Sequence, residues 1–219
     1  MWDARIRGVN TDQPPRPPQQ KRSRAAMERM LDAAQELIAE RGVASLTIAD
    51  VAARTGVAVG TIYSRFASKD ALIAAVHDRW LEQVVARVQT EWAAAAAESA
   101  DFEDFVACYV AAMITMFRDH GALIREFVVR TIAQFAPGNA ARHKLQEAFT
   151  HVCEAVLAHP DRPEHADRRR VTLAFRAVQS TLEWRVTTPR TEAPDNDWDT
   201  LAQDLPRLAI RYLTEETRT

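Results

Sequence analysis

An all-α fold is predicted by three features of the sequence. Gly is scarce, with six in 219 residues, and Ala, Leu, Arg and Glu dominate, which favours helix over strand. Apolar residues recur at helical spacing along most of the chain. Alternating apolar and polar runs bounded by turn dipeptides do not occur. A composition of 47% hydrophobic and 26% charged residues suits a globular chain that buries a real core, as one long domain or two small ones.

The elements follow in order. Residues 1–20 contain Pro14-Pro15-Arg16-Pro17-Pro18, which supplies few helix donors and buries little, so a disordered Pro-rich arm is expected. Its basic end, Lys21-Arg22-Ser23-Arg24, abuts the first periodic segment. Met27, Met30, Leu31, Ala34, Leu37 and Ile38 then share one helix face, which should end at Gly42. Thr47 followed by Asp50 is a helix-start signal. Ile48, Val51 and Ala52 form the buried face of a two-turn helix stopped by Gly56. A second short helix, from about Val59 to Phe66, buries Val57, Ile62 and Phe66. Ser68 caps a long helix over 69–98 that carries Leu72, Ile73, Val76, Trp80, Val84 and Val88.

Further helices are predicted over 102–120, closed by Gly121, and over 123–135, stopped by Pro137-Gly138. Others span 140–158, 164–187 and 198–214, the last with Pro206 inside it. About nine helices result, with no internal repeat and no linker before the long fourth one.

Charge divides the chain. Residues 1–69 hold 11 Lys or Arg against 7 Asp or Glu, and the rest hold 17 against 23. A basic front on an acidic body points to a polyanion partner for the front alone. Cys108 and Cys153 lie in apolar helical stretches without metal or redox spacing and are expected as reduced core residues, in keeping with a cytoplasmic location. The polar, Pro-rich opening does not read as a secretory signal, and no run of about 18 apolar residues suggests a membrane span.

The most informative segment is 47–69, two short helices joined through Thr55-Gly56-Val57. A short turn with Gly lets the second helix cross the first steeply and project. Such a helix enters a major groove if its outward side chains are small or hydrogen-bonding. Ala58, Val59, Gly60, Thr61, Ser64 and Arg65 meet that requirement, while Ile62 and Phe66 point inward.

At these residues the chain resembles the tetracycline-repressor (TetR) family of bacterial transcriptional regulators. The resemblance starts near Arg24 and runs through Gly42, Thr47-Ile48, Gly56-Val57, Gly60-Thr61-Ile62-Tyr63 and Phe66 to Ser68-Lys69-Asp70-Ala71-Leu72. It covers about fifty residues; the remainder matches the family only in length and helix pattern. It implies a helix-turn-helix DNA-binding domain over 21–68 and a helical effector-binding and dimerisation domain over 69–219. The implied partners are double-stranded operator DNA with a palindromic sequence, a second copy of the chain and a small, largely apolar effector that releases a repressor. A regulator controlled by a protein partner, or acting as an activator, is the alternative.

The resemblance also suggests roles. Thr61, at the amino end of the recognition helix, can reach a base or phosphate. Tyr63 matches a phosphate-contacting tyrosine, or is a core aromatic; Thr47 matches a phosphate contact, or is simply a cap. Lys69 in a first helical turn opposes the positive helix end, which a nearby phosphate would explain. Ser64 and Arg65 are expected to read bases, with a phosphate contact the alternative for Arg65. Val59 stands where many members carry a polar residue, so reading there would be apolar, and Ala58 is a poor cap where Ser is common. Lys21, Arg22 and Arg24 reach phosphate or minor groove from the arm, or form a solvated tail.

In the body, Val171, Phe175, Val178 and Leu182 form one stripe of the 164–187 helix, with Leu173, Ala177 and Trp184 on another. Leu201, Leu205, Leu208 and Tyr212 line the last helix. Apolar residues on two faces imply a second packing partner, by resemblance the same helices of another subunit. The effector pocket is expected from Trp80, Tyr109, Met113, Met116, Phe117, Phe127 and Phe175, with Arg130, Gln134, His151 and Gln179 as polar orienters. Catalytic motifs, metal-ligand clusters and cofactor loops are not found, so neither an enzyme nor a cofactor is expected.

Overall fold

The computed structural model describes residues 19–133, 140–188 and 197–216, which form eight α-helices and no strand. They are α1 (Gln19–Ser45), α2 (Ile48–Thr55), α3 (Val59–Tyr63), α4 (Lys69–Glu98), α5 (Phe102–Ala133), α6 (Ala140–Leu157), α7 (Arg168–Thr187) and α8 (Trp198–Thr214). The expected arm lies, up to residue 18, outside the described residues.

Local chemistry sets most boundaries. Met30, Leu31, Ala34, Leu37 and Ile38 of α1 are buried as their spacing predicts, while Met27 stays exposed. Gly42 breaks the regular helix with a φ of 79°, a left-handed value that suits glycine. Thr47 Oγ1 accepts the Asp50 amide at 3.1 Å to start α2, and Gly56, with φ 69°, ends it. α3 is shorter than predicted, because residues 64–66 fold back in turns onto the Gly60 and Ile62 carbonyls. The Ser68 hydroxyl accepts the Ala71 amide at 3.1 Å and starts α4.

Two further boundaries differ from the sequence reading. α5 runs unbroken through Gly121, so the helices expected over 102–120 and 123–135 are one and the count is eight. A Cβ on Gly121 would lie 3.2 Å from Val186 Cγ1, so this glycine serves the close approach of α7 and not a helix end. α7 begins at Arg168, four residues later than 164, because the Asp167 carboxylate accepts the Arg170 amide at 2.8 Å. α8 continues through Pro206, which removes a single amide from its ladder.

α5 packs against α4, α7 and α8 and also reaches α1, while α6 covers α4 and α7. One continuous set of buried side chains runs from Met30 in α1 to Leu213 in α8. Each fully buried Leu, Ile or Met contributes about 1.5–3 kcal/mol. α4 bridges the two ends of that core: Leu72, Ile73 and Val76 lie in its first turns, and Trp80, Val84, Val88 and Trp92 follow. Arg79 fastens α4 to α1 through Asp32 at 2.8 Å and Glu28 at 3.1 Å.

Candidate nucleic-acid interface

α2 and α3 turn about Gly56 so that Ile62 is fully buried and Phe66 nearly so. The opposite side of α3 is open: Val59 is 42% exposed, Tyr63 is 51% exposed, and a Cβ on Gly60 would meet nothing within 4 Å. Ala58 and Ser64 are exposed and Thr61 is half-buried. Tyr63 is therefore not a core aromatic. The α2 side is braced by Arg54, which donates to both Glu40 oxygens at 2.8 and 2.9 Å and to Glu36 at 3.3 Å. That guanidinium holds the Glu40 carboxyl below the usual carboxylate range.

Residues 30–76 match the family model for bacterial regulatory proteins of the tetR family. That segment is tetR-family in sequence. It gives the chain an N-terminal DNA-binding domain. Among curated TetR-like relatives, the uncharacterized HTH-type transcriptional regulator YvdT of Bacillus subtilis (strain 168) is 35% identical over 69 residues, 32% of this chain and 36% of that one. The HTH-type transcriptional repressor ComR of Escherichia coli (strain K12) is 26% identical over 124 residues, 53% of this chain and 58% of that one. The chain thus spans between about a third and somewhat over half the length of these relatives. Solved structures share the fold across more of the chain. The fatty acid degradation regulator FadR of Bacillus halodurans superposes with a TM-score of 0.59 at 20% identity, covering 87% of this chain and 97% of that one. FadR of Bacillus subtilis, in complex with stearoyl-CoA, gives 0.57 at 22% identity, covering 84% and 97%.

Several side chains expected to touch DNA in this TetR-family domain have internal partners. Arg65 Nη2 donates to Ser23 Oγ at 3.0 Å and to the Ser23 carbonyl at 3.4 Å. Lys69 Nζ donates to the Ala44 carbonyl at 3.2 Å, and Ser64 Oγ donates to the Thr61 carbonyl at 2.8 Å. The Thr47 hydroxyl both caps α2 and donates to the Asp50 carboxylate at 2.8 Å. Lys21, Arg22 and Arg24 are exposed, and they sit in the first turns of α1 instead of in an arm. The Ser23–Arg65 bonds fix that basic turn beside the end of α3.

The body gathers several of the expected pocket residues into two aromatic groups. Tyr109 touches Trp92, Phe105 and Phe175, with centroids 5.1, 4.9 and 6.4 Å away, and burial pushes its phenol pKa up. Trp80 and His77 meet Phe127 at 5.3 and 4.5 Å. Met113 and Phe117 are buried and Met116 is half-buried. The indole N–H groups of Trp80 and Trp92 are buried without a partner. His151 is exposed, and Gln179 donates to Glu183 at 2.7 Å. The side chain of Arg130 and all of Gln134 lie outside the described residues.

Of the residues expected at a subunit interface, Val171, Phe175, Val178, Leu182, Leu201 and Leu205 are instead buried within this chain, because their stripe packs into its own core. Leu208 is 62% exposed and Tyr212 is also exposed; the second stripe of α7 joins them, with Trp184 50% exposed and Leu173 similar. Both stripes are apolar, and packing against α5 and α8 decides which one turns inward.

A cleft of about 570 Å³ lies elsewhere, lined by Arg118, Gly121, Ala122 and Arg125 of α5, residues 185–188 at the end of α7, and Trp198. None of the expected effector residues lines it. Sequence reading missed its arginines because they come from separate segments and each reads alone as an ordinary surface charge.

Proposed function

We propose that the chain is a repressor that grips a palindromic operator as a homodimer and releases it on binding a small, largely apolar effector. Residues 21–68 form its DNA-binding head and 69–219 its effector-binding and dimerising body. The observation that carries this reading is the open face of α3, where Val59, Gly60 and Tyr63 stand clear of the protomer beside the basic first turns of α1. A projecting helix of this kind reads base edges, while the basic turns neutralise phosphates.

Further support comes from the exposed Leu173, Trp184, Leu208 and Tyr212 on α7 and α8, an apolar face that suits a two-fold partner. ComR is named a repressor, and FadR was solved with stearoyl-CoA, an effector-sized molecule with a long apolar chain. Continuity of α4 offers the connection, since about 45 Å of helix joins head and body. Selection from a random duplex library by the full chain tests the reading, with sedimentation run in parallel. Inverted-repeat half-sites about one helical turn apart, or a multiple, are expected. Trp184→Glu and Leu208→Glu should convert a dimer to monomer and weaken operator binding together. A selected consensus without two-fold symmetry, bound by monomer, would overturn it.

A further inference from the structure

We propose that the cleft between the middle of α5, the end of α7 and the first residue of α8 is a binding site for a small organic anion, a carboxylate or phosphate ester carrying an aromatic or apolar body. Its α5 wall consists of residues 118, 121, 122 and 125, the spacing of one helix face. Two arginines therefore flank Gly121 and Ala122 on that wall. Arg185 lines the cleft from α7, so three arginines contribute to one concavity. Its volume of about 570 Å³ lies within the range of small-molecule sites, roughly 300–1,000 Å³.

Arg185 carries the argument. Its guanidinium lies over the Trp198 ring, 5.1 Å from the centroid, and its Nε is buried with no hydrogen-bond partner. Among the described residues Arg185 makes no hydrogen bond or ion pair, so a donor has been withdrawn from water without replacement. Such a donor is unfavourable unless a ligand accepts from it. Arg125 uses its Nε on the Val186 carbonyl at 2.7 Å and has no carboxylate partner among the described residues. Among the described residues two acidic groups interact with these arginines. Asp119 pairs with Arg118 at 3.5 Å, and Asp197 is engaged in capping Thr200 at 2.7 Å while sensing the Arg185 charge. Among the described residues positive charge remains in excess, and Trp198 supplies a flat apolar wall beside it. A planar acid or ester laid on that wall would meet Arg forks suited to carboxylate or phosphate oxygens.

Calorimetric titration of the full chain with benzoate, phenyl phosphate and benzyl alcohol tests the site, because the three share one ring and differ in head group. At least one charged probe should bind roughly tenfold or more tightly than the alcohol. Arg185→Ala and Arg125→Ala should each weaken the charged probe about tenfold and leave the alcohol unchanged, and Arg185→Lys should retain part of the affinity. Arg207→Ala removes the same charge from an exposed part of α8 and should change nothing. The tighter charged probe assigns the head group. Equal affinity for alcohol and anions, indifference to both arginine substitutions, or no binding of either anion at millimolar concentration would overturn the proposal. No DNA enters the titration, so its failure leaves the operator reading intact, and a failed operator selection leaves the site intact.

Discussion

Gly60 separates folding from recognition at a single residue. It sits in the first turn of α3, at an ordinary helical φ, with open space where a side chain would project. Gly60→Ala should leave stability unchanged or raise it by up to about 1 kcal/mol, since Ala is the better helix former. The same methyl would stand between α3 and a closely approached groove, so operator affinity should fall by about tenfold or more in an anisotropy titration. Equal affinity would mean that α3 does not approach DNA closely there. Arg65 makes the converse case. Its bonds to Ser23 imply that it braces α3 against the basic turn of α1. Arg65→Ala should weaken binding by about 1 kcal/mol on every operator variant alike, and Ser23→Ala should reproduce part of that loss. Loss of preference at one base pair only would return Arg65 to direct reading. The sequence made Arg65 legible as a functional cation. Its partner was not legible, because Ser23 is 42 residues away and the contact depends on how α1 crosses α3.

Several helix ends were readable from a side chain or a left-handed glycine that decides them locally, although the Asp167 cap of α7 was missed. Thr47, Gly42, Gly56 and Ser68 all act where their types predict. Gly121 looked the same in sequence and has a different cause, the passage of α7 against α5. Gly121→Ala should therefore destabilise the fold by about 1–3 kcal/mol through overpacking, although alanine is the better helix residue. Val186→Ala alone leaves a small cavity, and the double variant should recover more than additivity allows, as a double-mutant cycle in urea would measure. Additive losses would mean that the approach at 3.2 Å is not what selects glycine. The two apolar stripes of α7 illustrate the same limit. Periodicity shows that both are apolar, but the choice of the Phe175 stripe as core depends on α5 and α8, which a single helix pattern does not contain.

For the whole molecule, the question is how the body can act on the head. Leu72, Ile73 and Val76 at the start of α4, with Arg79 bound to Glu28 and Asp32, make α4 move with α1. A second connection comes from α5: Glu126 Oε2 accepts the Val43 amide at 2.8 Å, just past the break in α1. Gly42 is required beside it, since a Cβ there would lie 3.2 Å from both Glu126 oxygens. The head is thus held at two points along α1, and one of them is an acceptor carried by the helix whose neighbouring residue, Arg125, lines the arginine cleft. A ligand that stabilises one position of α5 would bias this acceptor, and any such coupling must act equally in the reverse direction. The contact itself can be tested without a ligand. Glu126→Ala removes a charge-assisted acceptor worth about 1.5–3 kcal/mol where it is buried, less where water can replace it. Hydrogen exchange should then speed up by tenfold or more over residues 40–48, while the amides of α7 keep their protection. Glu126→Gln, which retains an acceptor oxygen, should restore most of the protection. If exchange over residues 40–48 is unchanged in Glu126→Ala, the head is held by α4 alone, and any signal from the body must pass through that helix.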